Sequence, residues 1–81
     1  MELIWINKAE YAGDYRLYLL FSNGEKKVFD ASAFIDTYPA FKVLKDKSLF
    51  RDFKLDGWTV SWQDGTLDIA PEYLYEKGVD A

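Results

Sequence analysis

The sequence predicts a small two-layer α+β domain, a mainly antiparallel sheet of about five or six short strands with two or three short helices. Three observations carry that prediction. Phe21-Ser22-Asn23-Gly24 and Trp62-Gln63-Asp64-Gly65 repeat one device, an aromatic, a polar residue and an Asx-Gly pair between strand-like runs. Such a pair is a strong hairpin signal, because a type I′ turn needs positive φ at both central residues. Tyr15, Leu17, Leu19 and Phe21 alternate with period two, as one face of a strand does. Pro71-Glu72 then opens an apolar-sided stretch closed by Gly78, which has the punctuation of a short helix.

The elements follow in order. Residues 2–8 read as a first strand with apolar side chains on both faces, Leu3 and Trp5 on one and Ile4 and Ile6 on the other. Glu10 to Asp14 reads as a turn around Gly13. The strand 15–21 is the clearest in the first half, and its second face, Arg16, Tyr18 and Leu20, is only half polar. After Asn23-Gly24, residues 25–29 return. Asp30 or Ser32 can cap a helical turn through Ala33-Phe34-Ile35, and Tyr38-Pro39 interrupts it, since the residue before proline leaves the α region. A helix is expected over about Ala40 to Lys45, anchored by Phe41 and Leu44. Phe53-Lys54-Leu55 begins another strand, and Asp56-Gly57 can turn it. Trp58, Val60 and Trp62 alternate with Thr59 and Ser61, so a half-buried strand with Ser61 toward solvent is expected. Thr66 to Ile69 returns. Glu72 suits the acidic first turn of the last helix, and the final three residues are expected to fray.

A length of 81 residues means one domain, 1–81. Three Trp, six Tyr and six Phe supply the large buried areas that let a chain this short close a core. With no Cys there is no disulfide and no thiolate chemistry, and with no His the commonest neutral-pH base and metal ligand is missing. Neither a cofactor nor a metal is expected, and no catalytic residue set stands out. The net charge of −4 argues against a nucleic-acid binder. The N-terminal apolar run lacks a basic flank and a cleavage site, and no stretch approaches a membrane span, so a cytoplasmic location is expected.

Several of these residues together resemble a small bacterial family known as domain of unknown function 2442. They are Phe21-Ser22-Asn23-Gly24, Asp30, Phe41-x-x-Leu44, Leu49-Phe50 and, above all, Trp62-x-Asp64-Gly65 followed by Asp68-Ile69-Ala70-Pro71-Glu72-x-Leu74-Tyr75. The resemblance spans about Tyr15 to Tyr75. It implies a compact α+β domain and no enzyme activity. It also implies an antitoxin-like or regulatory role, as one half of a small protein pair. Some relatives carry a helix-turn-helix domain after this one. This chain ends at Ala81, so such a reader is expected to be missing, which weighs against direct DNA binding.

Candidate partner-binding residues fall in two groups. Trp62, Asp64, Asp68, Glu72 and Tyr75 form an acidic-aromatic block near a hairpin tip and a helix start. Each also has a local explanation: Asp64 makes the turn, Asp68 anchors the next element, Glu72 answers the helix dipole and Trp62 belongs to the core. Tyr18 and Leu20 are surplus apolar residues on the outer strand face, and either cover from another element or a partner accounts for them. Lys42, Lys45, Lys47, Arg51 and Lys54 form a basic stretch of net +3 once Asp46 and Asp52 are counted, while 64–81 holds five acids against one lysine. That polarity would orient two molecules on encounter. Serines lack a histidine to activate them, and the isolated glycines form no phosphate-cradling loop. The expected function is a non-enzymatic module that binds another protein or a second copy of itself, a homodimer. The alternatives are a nucleic-acid regulator using 42–54 and an enzyme using Asp/Glu and Tyr.

Overall fold

The computed structural model describes residues 3–81. Residue 2 of the expected first strand lies outside the described residues. The fold is α+β, with seven short strands in two antiparallel sheets among the described residues. The first sheet has the order β1-β2-β3-β7: β1 is Ile6–Tyr11, β2 Arg16–Phe21, β3 Lys26–Asp30 and β7 Val79–Asp80. The second is β4-β5-β6: Lys54–Leu55, Val60–Trp62 and Leu67–Asp68. Between them run α1 (Ser32–Thr37), a 3₁₀ helix (Pro39–Lys45) and α2 (Lys47–Arg51), and α3 (Pro71–Lys77) precedes β7.

The period-two reading of β2 is correct. Leu17, Leu19 and Phe21 are fully buried, and Tyr18 and Leu20 on the other face are half-buried. The first strand starts later than expected, at Ile6, and runs through Glu10 and Tyr11 because those residues pair with Tyr18 and Leu17. Its pairing slips by one residue between Ile6 and Lys8. The slip lets Ile6 and Ala9, an odd number of residues apart, both meet the core.

The two Asx-Gly turns differ. In the first only Gly24 has positive φ (89°), and Asn23 does not. The Phe21 carbonyl accepts from Gly24 N at 2.9 Å, and Phe21 N donates to the Glu25 carbonyl at 2.9 Å. This is a three-residue loop ended by a left-handed glycine, closed by the Asn23 side chain accepting from Glu25 N at 3.0 Å. In the second, Gln63 (53°), Asp64 (56°) and Gly65 (87°) are all left-handed. The type I′ pair is therefore Gln63-Asp64, one residue earlier than the sequence suggested, with Gly65 N donating to the Trp62 carbonyl at 3.2 Å.

Asp30 precedes the N-cap Ala31 of α1, and its carboxylate accepts from Ser32 N at 2.9 Å and Ser32 Oγ at 2.6 Å at the helix start. Extended Tyr38 separates α1 from the helix expected over about 40–45, which is a 3₁₀ helix. Asp46 then takes the Ser48 amide at 2.9 Å and starts α2, a helix the sequence reading did not separate. The expected alternation of 58–62 fails. Trp58 is 40% exposed, whereas Thr59 and Ser61 are buried between the apolar neighbours. The Thr59 hydroxyl donates to the Ile69 carbonyl, and Ser61 Oγ lies 3.4 Å from the Lys54 carbonyl, so both polar groups are satisfied inside. At the C-terminus the expected fraying is replaced by pairing. Val79 and Asp80 stand opposite Val28 and Lys27, and Ala81 N donates to the Lys26 carbonyl at 3.1 Å.

The core packs against the inner face of the first sheet. Phe50, Ile35, Leu44, Leu74, Val60 and Trp62 fill it. Trp62 is stacked on Phe50 at 5.8 Å between ring centroids.

Candidate functional site: an aromatic groove with an acidic side

The molecule carries an open groove of about 780 Å³. Its apolar side is the segment Leu3-Ile4-Trp5; the tip of the first hairpin contributes Ser22 and Asn23, and α3 contributes Glu72, Tyr75 and Glu76.

Local interactions hold each part. The Trp5 backbone is fastened to the hairpin: Trp5 N donates to Ser22 Oγ at 3.1 Å, and its carbonyl accepts from Ser22 N at 2.8 Å. Its indole N–H is taken by Asn7 Oδ1 at 2.9 Å, which sets the ring's orientation. Trp58 stacks on Trp5, centroids 6.4 Å apart and planes 25° from parallel. Trp58 is presented by a turn in which Asp56 Oδ1 accepts from both Trp58 N and Thr59 N at 2.9 Å. Ile6 N donates to the Trp58 carbonyl at 3.0 Å and ties that turn to β1. Trp5 and Trp58 are 38% and 40% exposed and Leu3 is 72% exposed, so the molecule shows solvent a cluster of large apolar side chains.

Tyr75 is fixed from three directions. Its ring meets Phe21 edge-on at 5.2 Å, Lys27 Nζ lies 4.2 Å over it, and its hydroxyl donates to the Glu25 carboxylate. Asn23 Nδ2 also donates to Glu25, at 2.9 Å. The Glu25 carboxylate is thus occupied by the protein's own donors. Glu72 and Glu76, one helical turn apart on α3, are exposed.

Of the candidate partner-binding residues named from the sequence, the structure brings only Glu72 and Tyr75 to this groove. Trp62 is 2% exposed, with its indole N–H on the Phe50 carbonyl, so it is a core residue and offers no partner surface. Asp64 lies at a separate hollow with Asp52, Asp56 and Ser61. Asp68 is exposed on β6, opposite Ser61. Tyr18 and Leu20 lie on the outer face of the first sheet. Tyr18 stands in register between Glu10 and Val28, with Val79 beyond, and Leu20 between Lys8 and Lys26. The expected single block is therefore divided: Trp62 is in the core, Asp64 is at a separate hollow, and Glu72 and Tyr75 are at the groove.

Sequence reasoning missed Trp58, Ser22 and Asn23 as site residues. The surplus of apolar residues at 3–6 was a usable signal for the groove's apolar side. Trp58 carried no such signal, because period two assigned it to the core. Among the described residues no group of three or more Asp, Glu, His or Cys is placed to hold a metal ion. Nor, among the described residues, is any helix long and apolar enough to cross a membrane.

A family model described as "Protein of unknown function (DUF2442)" matches residues 6–80. No curated protein and no solved structure matches the chain. The matched span begins at Ile6, so Leu3, Ile4 and Trp5 of the groove precede it.

Proposed function

We propose that this chain, which belongs to the DUF2442 family of proteins of unknown function, is a non-enzymatic protein-binding module that docks its partner in the groove between Trp5 and α3. The observation that carries the reading is the Trp5–Trp58 stack. Two large aromatic rings are held rigidly at the surface by backbone hydrogen bonds rather than folded into the core. Rigid aromatic anchors beside a hollow are the usual centre of a protein–protein contact, since they bury much area and lose little entropy. The proposal extends to a regulatory, antitoxin-like role in the bacterial cytoplasm, which rests on the family resemblance.

The competing readings have less support. In the basic stretch, Lys45 is paired with Asp36 at 2.7 Å, Lys47 with Asp14 at 3.4 Å, and Arg51 lies over the Tyr11 ring at 4.7 Å. Those cations would have to leave partners to reach phosphate. For an enzyme, the groove's carboxylates stand on an open surface rather than in an enclosed pocket that would tune one against the other. A homodimer through Tyr18 and Leu20 is a distinct proposal, and the mass in solution of the native chain and of Tyr18→Ala tests it.

The test of the main reading is capture from native cells with the wild-type chain and with the Trp5→Ala/Trp58→Ala double variant. A specific partner recovered only by the wild type, and reconstituted from purified components, supports the proposal. Equal recovery by a folded double variant refutes it.

A further inference from the structure

Taking the groove to be a docking site, we infer that its occupant is a short segment of another protein carrying a cationic side chain, arginine or lysine, beside a bulky apolar one. The apolar half of that requirement comes from Leu3, Ile4 and Trp5, which present hydrocarbon to the hollow and gain by its removal from water.

The cationic half comes from α3. Glu72 and Glu76 line the same hollow, and among the described residues no cationic side chain lines it with them. Glu25 nearby is already satisfied by Tyr75 and Asn23, so Glu72 and Glu76 are the carboxylates open to an incoming charge. Trp5, which lines the hollow and is 38% exposed, and Trp58 stacked on it add aromatic surface on which a guanidinium packs favourably. An acidic peptide or a nucleic acid would bring negative charge against both carboxylates, in a chain whose net charge is already −4. The distribution of charge and apolar surface at the groove thus selects one class of segment over its opposite.

The probe is a set of three blocked hexapeptides with two leucines and either two arginines, two citrullines or two glutamates. They are titrated into the ¹⁵N-labelled full chain, and the indole N–H resonances serve as reporters. The arginine peptide is expected to shift the Trp5 and Trp58 signals and leave buried Trp62 in place. The uncharged citrulline peptide should bind about tenfold more weakly, as two exposed charge contacts would give. The Glu72→Gln/Glu76→Gln double variant should abolish that difference while the spectrum stays that of a folded protein. If the citrulline or glutamate peptide binds the groove as tightly as the arginine peptide, the charge class is overturned and the docking site stands. If none of the three moves the Trp5 and Trp58 signals at millimolar concentration, both are overturned.

Discussion

The indole nitrogen of Trp62 donates to the carbonyl oxygen of Phe50 across 2.8 Å inside the core. That bond joins the second sheet to the end of α2, and the two rings stack as well. Trp62→Phe keeps most of the ring and removes the donor, leaving a buried carbonyl without a partner. The expected loss is about 1–3 kcal/mol in urea unfolding. A loss no larger than that of an exposed Trp58→Phe control would show that the bond contributes nothing.

Gln63 has φ of 53° in a turn where glycine would be unstrained. A side chain in the left-handed region costs roughly 1–2 kcal/mol, and the extra chain entropy of glycine offsets part of that. Gln63→Gly is expected to stabilise the fold by about 0.5–1 kcal/mol. Gly24→Ala should do the opposite by a similar amount: its φ is 89°, and an added methyl meets no atom within 4 Å, so conformation alone is tested.

Gly78 is needed for a different reason. Its φ is −69°, open to any residue, but a Cβ there would lie 2.7 Å from the Leu74 carbonyl oxygen and 3.0 Å from Lys27 Cβ. Gly78→Ala must push α3 away from β3, and overpacking of this kind costs about 1–3 kcal/mol. The accompanying sign is faster hydrogen exchange at Ala81 N, which donates to Lys26 in the β3–β7 pairing. Unchanged exchange and stability would mean the close approach is relieved at no cost.

Asp30 ties its protonation to stability. The hydrogen bonds from the Ser32 hydroxyl and then the Ser32 amide lower its pKa from the ordinary 3.8, outweighing some desolvation, with Arg16 adding a smaller push. Because the folded pKa is depressed, the contribution is fully present above the unfolded value. It is lost as pH falls through the folded value, so the effect belongs to the acid limb below about pH 4. Ser32→Ala removes the largest cause and should flatten that limb while leaving the neutral-pH slope alone. A limb of unchanged steepness would remove Asp30 from the account.

Much of the fold is legible in particular residues. Leu17, Leu19 and Phe21 announce their face by alternation, Pro71 and Gly78 bracket α3, and Asp30 announces the start of α1. The groove was half legible. Glu72 and Tyr75 stood out by type, and the apolar residues 3–6 by their excess, but nothing local says that these segments meet. Trp58 misled because period two cannot register that the chain between Asp56 and Thr59 is turning rather than extended.

What the sequence by itself determined is the class of the domain, its hairpins and the buried face of β2, since these depend on neighbours a few positions apart. The family resemblance was likewise readable from short motifs. What only the tertiary structure decided is which aromatics are outside. Trp62 and Trp58 have the same strand-like spacing, yet one donates to Phe50 in the core and the other stacks on Trp5 at the surface. The turn made by Asp56 and the bond from Ile6 to the Trp58 carbonyl separate them. The second of these links residues far apart in the chain, and no local pattern of residue types encodes it.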